Sequence, residues 1–230
     1  MFEIQRIASA ERLQEVRLLH QVIAAMESPA PLQPDSDRVL VLRGLFFVHL
    51  YGYFESAVNS LVNTTLIAIS DVRVSLCHLA YPVYTIALDS HLTSIGNTPG
   101  RGKWKKRSQL FEKQCSTTPC VIDDSALALY LQNISVPSLE QVFSCFGISR
   151  SVVPTNAHTG YVNELRENRN SVAHGRESSV VVGKRHRSNE LLIRIDRIHE
   201  VVVHLQNVLQ EYFQSKNFIA ADYRAKYSVA

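Results

Sequence analysis

The stretch RENRNSVAHG, residues 166–175, gathers two arginines, two asparagines and a histidine immediately before a glycine. Each type brings its own chemistry. An arginine presents an always-charged, planar fork that fits oxyanions. A histidine, with an ordinary pKa of about 6.5, can both accept and release a proton near neutrality. An asparagine donates and accepts at once, so it can orient an imidazole or hold an oxyanion. The same residues are also compatible with a solvated helix end, because helix C-termini favour cations.

The surrounding periodicity separates these possibilities in part. On a helix, Val162, Leu165 and Val172 form one apolar stripe, and the missing member of that stripe is Arg169. A guanidinium in that position points toward apolar surroundings, which is costly unless it is paired or reaches a hydrated cleft. His174 lies five residues further on, rotated about 140° from Arg169 on an ideal helix, so the two do not lie side by side by default. Asn170 precedes His174 by four residues, and Arg166 precedes Asn170 by four, which places these three on a common face.

The remaining sequence supplies helices to carry this cluster. Residues 3–28 read as an amphipathic helix stopped by ESPAPLQPDSD, whose prolines forbid continuation. From about Asp37 to Ser70 runs a long helix, apolar nearly all round, with Leu42, Phe46, Leu50, Phe54, Val58 and Leu61 at helical steps. A helix of that kind belongs in the middle of a bundle. A third helix is predicted over 75–95, running into the basic turn-rich IGNTPGRGKWKKRS, with shorter pieces near 103–114, 123–133 and 138–146. The cluster helix spans about 155–175, with Gly175 as its C-cap. RESSVVVGKRHRSN reads as a loop with a short hairpin around Gly183, and a last helix covers 189–215. Its residues Leu191, Ile195, Ile198, Val202, Leu205, Leu209 and Tyr212 form a narrow seam suited to packing on another helix. That seam could equally serve a purely structural helical dimer.

The fold class expected is all-α: a helical bundle forming a single domain over 1–230, with core helices at about 37–70 and 155–215 and an irregular insert at about 97–150. Apolar residues make up 46% of the chain and charged residues 20%, an ordinary globular balance. The net charge of +3 excludes a polycationic tail but not a local basic groove. Cys77, Cys115, Cys120 and Cys145 match no zinc spacing and read as free thiols. No leader opens the chain and no run reaches the roughly 18 apolar residues of a membrane span, so a cytoplasmic location is expected.

RNSVAHG, 169–175, resembles the signature of the HEPN superfamily, all-α domains named for higher eukaryote and prokaryote nucleotide binding. Its ribonuclease members carry an arginine, a polar residue that is commonly asparagine, variable residues and a histidine, matched here by Arg169, Asn170 and His174. The position also fits, near the end of the penultimate core helix. LYGYFESAVNSLV, 50–62, is similar to the early helix of stand-alone, MAE-type HEPN nucleases, with Glu55 as the acidic residue and Tyr51 one turn before it. Glu55 interrupts an apolar helix, so it calls for a partner such as Arg169 or His174, unless that part of the helix is solvated and the carboxylate exposed.

The resemblance implies a metal-independent endoribonuclease without a cofactor, working as a homodimer that joins two copies of the motif in one cleft. Arg169, Asn170 and His174 would be catalytic, with Glu55, Tyr51 and Arg166 supporting them. RNA would be cleaved to 2′,3′-cyclic phosphate and 5′-hydroxyl ends. The cellular role implied is that of a toxin or antiviral effector, with a neutralising antitoxin or defence-system partner as its counterpart. The alternative is a non-catalytic HEPN-type module that binds nucleotides or RNA or assembles a complex. Toxins of this superfamily that pair with a nucleotidyltransferase antitoxin carry tyrosine two residues after the histidine. Arg176 stands there instead, which argues against that regulation and suggests a phosphate contact.

Two further basic stretches are candidates for RNA contact. GRGKWKKR, 100–107, surrounds the only tryptophan with cations, so that Trp104 could stack a base while Lys103 and its neighbours hold phosphates. A loop anchored to the core by that tryptophan is the competing reading. KRHR, 184–187, follows the motif closely, making Lys184, Arg185 and Arg187 candidates for guiding RNA.

Overall fold

Asp37–Asp71 forms one unbroken helix, α2, as its apolar spacing requires. The computed structural model describes residues 2–28, 34–114 and 117–227, and all-α architecture holds throughout them. Pro29 and Pro31, predicted to end the first helix, and Cys115 lie outside the described residues. The first helix, α1, is Phe2–Met26. The motif helix is α7, Asn156–Ala173, and the last long helix is α9, Ser188–Gln214. Both pack on α2, as do α1 and a short α8, Ser179–Gly183. Phe46, Phe47, Leu50, Tyr51, Phe54, Val58 and Leu61 of α2 are all buried. A helix enclosed this fully must be apolar on most faces, which is what its sequence provides.

Three expectations are corrected. The segment 75–95 is not one helix but a 3₁₀ turn, Leu76–His78, followed by α3, Tyr81–Ala87, and α4, Asp89–Gly96. Pro82 sits in the first turn of α3 and Ala80 before it is extended, so a helix restarts there instead of continuing. Around Gly183 the chain makes the helix α8 rather than a hairpin. The Ser178 hydroxyl accepts from the Val181 N–H at 3.3 Å, capping it. Finally, the seam on α9 is buried by its own chain: Leu191, Ile195, Ile198, Val202, Leu205, Leu209 and Tyr212 lie in the core, facing α1, α2 and α7. No part of it is left for a partner helix.

The seat of α8 depends on two glycines. A side chain at Gly44 would come within 2.2 Å of the Ser179 carbonyl oxygen, and one at Gly183 within 1.9 Å of the Leu40 carbonyl oxygen. The two backbones therefore touch where any β-carbon would wedge them apart.

The middle of the chain is the least regular, as composition suggested. The basic stretch forms helix α5, Gly102–Gln114. A fourth expectation is corrected here: residues 123–133 make only a 3₁₀ turn, Ala128–Leu131, and not a helical piece, and α6 follows at Val136–Phe146. A buried ion cluster ties the α1–α2 junction together: Arg43, only 3% exposed, lies 2.5 Å from both Glu27 and Asp35. Glu27 also accepts from the N–H and hydroxyl of Ser188 at 2.6 Å each, joining the start of α9 to the same point. Among the described residues no helix is long and apolar enough to cross a membrane.

Candidate functional site

The rotation of α7 is fixed before any functional residue is reached. At its start the buried His158 bridges Thr155 Oγ1 at 2.9 Å and Glu200 Oε2 of α9 at 2.7 Å. His158 is thus a satisfied structural histidine, in keeping with its omission from the motif. Its hydrogen bond and that of Arg197 hold the Glu200 carboxyl below its ordinary range. One turn further, Arg194 reaches Glu164 at 2.9 Å, while Val162 and Leu165 are buried. With both anchors set, Arg169 must turn toward α2.

There the guanidinium is gripped on three sides. Its central carbon lies 4.0 Å above the ring of Tyr51, a cation–π contact. Its Nη1 donates to Asn170 Oδ1 at 2.7 Å, and its Nη2 approaches Glu55 Oε1 at 3.5 Å. Glu55 therefore has the partner its position demanded, and that partner is Arg169. Arg169 retains 19% side-chain exposure and Glu55 33%, so the pair borders solvent. Tyr51 is 2% exposed. Burial, and then the nearby Glu55 charge, push its hydroxyl up to about 12, so it stays neutral. The pair opens onto a cleft of about 760 Å³ lined by Arg12, Glu55, Asn59, Gln132, Asn133 and Arg169, among others.

Asn133 is the residue that sequence reasoning missed. Its backbone is left-handed, with φ of +52°, a conformation asparagine tolerates better than most residues. Its side-chain oxygen accepts from Asn170 Nδ2 at 3.3 Å, so the irregular insert reaches the motif. No local pattern in the sequence marks such a contact, and the same holds for Arg12 of α1. Asn170 turns its side chain to Arg169 and Asn133 rather than to the imidazole.

His174 is placed apart. It caps α7 with φ of −98° and ψ of 7°, its N–H donating to Asn170 O at 3.1 Å, and its side chain is exposed and outside the cleft. Gly175 follows with φ of +66°, the left-handed turn that ends the helix. Within one chain, then, the structure joins Tyr51, Glu55, Arg169 and Asn170, and His174 is not among the residues that line the cleft. Arg166 is half-buried beside them, with its Nε buried and without a partner among the described residues.

The RiboL-PSP-HEPN family model matches residues 8–215. The chain belongs to this HEPN family. Membership makes it a nuclease-type or RNA-related HEPN module, in agreement with the superfamily read from RNSVAHG. Comparison with curated proteins and with solved structures finds no match.

The other basic candidates of the HEPN domain have differing surroundings. Arg176 and Lys184 are exposed. Arg185 is paired with Glu177, and Arg187 donates to the Ser28 carbonyl at 2.9 Å and lies 3.9 Å from Glu27. His186, between them, is buried against the ring of Phe47, and burial lowers its pKa. Arg185 and Arg187 are thus engaged within the chain, although Arg185 stays exposed, whereas Lys184 has no side-chain ion pair or hydrogen bond among the described residues. Lys103 is half-buried, whereas Trp104 is 72% exposed, so the tryptophan does not anchor its segment to the core. Cys77, Cys120 and Cys145 are free, and burial pushes the Cys120 thiol up to about 11.

Proposed function

We propose that this HEPN protein is a metal-independent endoribonuclease, of the stand-alone MAE type, whose catalytic groups are Arg169, Asn170 and His174. The observation that carries the reading is Arg169. It is a guanidinium held by Tyr51, Asn170 and Glu55 yet still lining an open cleft. Arginine has five N–H groups, and the two contacts above leave others for an oxyanion. A group fixed before substrate arrives stabilises developing charge without reorganising, which is the strongest form of such catalysis.

In the reaction, the 2′-oxygen of the substrate attacks phosphorus, the new O2′–P bond forms, and the P–O5′ bond breaks. The 2′-proton passes to an imidazole and a proton is returned to the leaving 5′-oxygen, both within the range of histidine. Arg169 balances the charge on the phosphorane oxygens, competing with Glu55 for that contact. Asn170 fixes the guanidinium. The products are a 2′,3′-cyclic phosphate and a 5′-hydroxyl.

His174 lies away from Arg169 within one chain, so cleavage requires a homodimer in which one copy's imidazole serves the other's arginine. The exposure of His174 and of Arg176 supports a site completed from outside. The biological setting we infer is a toxin or antiviral effector acting on RNA, held in check by an antitoxin or defence-system partner. The same exposure favours a second reading, in which the module binds RNA or nucleotide without cutting it.

Purified protein and its His174→Ala variant, incubated with mixed RNA in excess EDTA, distinguish the two. Wild type is expected to yield cyclic-phosphate ends, and the variant to lose about 10²–10⁴-fold of that rate. Equal rates for the two, or no cleavage by a folded dimer, would sink the catalytic reading in favour of the binding module.

A further inference from the structure

Residues 101–113 hold six lysines and arginines and one acid, a net +5. The whole chain carries only +3, so everything outside this segment sums to −2. The positive charge of the protein is thus concentrated on α5. None of its cations has a carboxylate within 4.0 Å among the described residues, whereas Arg43, Arg169, Arg185, Arg194 and Arg197 all do. Lys106 donates instead to Ser94 Oγ, and Lys113 Nζ meets His91 Nε2, at 2.6 Å each. Crowding like charges on one helix costs stability, and among the described residues no carboxylate, Glu112 of the same helix included, comes within 4.0 Å of these cations to offset it.

Between those cations stand two large aromatics in water. Trp104 is 72% and Phe111 66% exposed. Seven residues apart, they fall on one stripe of the helix, about 10.5 Å apart along its axis. Arg107 lies between them on that side, its guanidinium 4.8 Å from the centre of the Trp104 ring. It lies over the indole of a residue that nonetheless stays largely exposed. Lys103, Lys106 and Leu110 are the half-buried residues that attach α5 to the body of the protein. The outer stripe therefore plays no part in packing.

We propose that the outer face of α5 is a platform for single-stranded RNA, with bases stacked on Trp104 and Phe111 and phosphates held by Lys105 and Arg107. Exposed rings alone could suit a second protein, but rings set among unpaired cations are complementary to a chain that alternates flat bases with negative phosphates. The choice of RNA over DNA rests on the ribonuclease reading. The platform itself lies outside the Arg169 cleft and needs no catalysis.

Trp104 is the only tryptophan, so its emission reports directly on this face. The protein is titrated with a short single-stranded oligonucleotide whose 2′-hydroxyls are methylated, so that it cannot be cut by the proposed chemistry. Quenching of Trp104 is expected, with affinity about tenfold weaker in Phe111→Ala, as removal of one stacking ring implies. In Lys105→Ala/Arg107→Ala the dependence of log affinity on log salt should flatten by about 1.4, or 0.7 for each phosphate no longer held. His174→Ala should bind like wild type even though cleavage is gone, which separates failure here from failure of the ribonuclease reading. Unchanged emission, or equal affinity for wild type and both α5 variants, overturns the platform. So does a response to anionic lipid vesicles with none to the oligonucleotide.

Discussion

Arg169 and the cations of α5 are the same kinds of charge in opposite surroundings. Around Arg169 the chain has assembled a ring face, an amide oxygen and a carboxylate. Around Lys105 and Arg107 no carboxylate comes within 4.0 Å among the described residues. The first arrangement fixes where a charge sits before any ligand comes. The second leaves charge uncompensated, so that a ligand completes it. A cation that defines geometry must be paired, and one that only attracts is better left alone.

The contrast is sharpened most by Arg169→Lys. Lysine keeps the charge but lacks the planar fork that meets Asn170 and Glu55 together. Cleavage is expected to fall about 10²–10³-fold, comparable to deleting a transition-state donor, with little change in melting temperature. A rate near wild type would mean that charge alone suffices and that pairing around Arg169 is incidental. Of comparable size in free energy, but read as stability, is Arg43→Ala, which leaves Glu27 and Asp35 without their shared cation. Breaking such a pair costs about 3–5 kcal/mol, readable by urea unfolding. The smallest effect is expected from Lys105→Ala, within about 0.5 kcal/mol of wild type in the same measurement. A large loss of stability there would show that the α5 cations hold structure after all.

Sequence alone went far for residues whose polarity conflicts with a periodic apolar pattern. Arg169 stood in a gap of the stripe Val162, Leu165 and Val172, and Glu55 broke the apolar run of α2; the two meet at 3.5 Å. The 140° offset kept Arg169 and His174 from lying side by side by default, and the contacts of Arg169 are made with Tyr51, Glu55 and Asn170 instead. What escaped was tertiary. Asn133 reaches Asn170 from a turn whose left-handed backbone has no periodic signature. The run SVVVG resembles a strand, and what makes it a helix lies outside the run: the Ser178 cap and a backbone seat at Gly44 and Leu40 that only Gly183 fits. Pro82 was a visible breaker, yet the apolar spacing on either side of it suggested continuity.

The contact of α8 with α2 has a consequence for His174. The segment 175–178 is a strut of fixed length, anchored at one end by the last turn of α7 and at the other by a helix pressed backbone to backbone on α2. The imidazole lies in open water, yet both ends of its tether are set in the core. An approaching second molecule thus meets a histidine whose address is written by Gly44 and Gly183, two residues that never touch it.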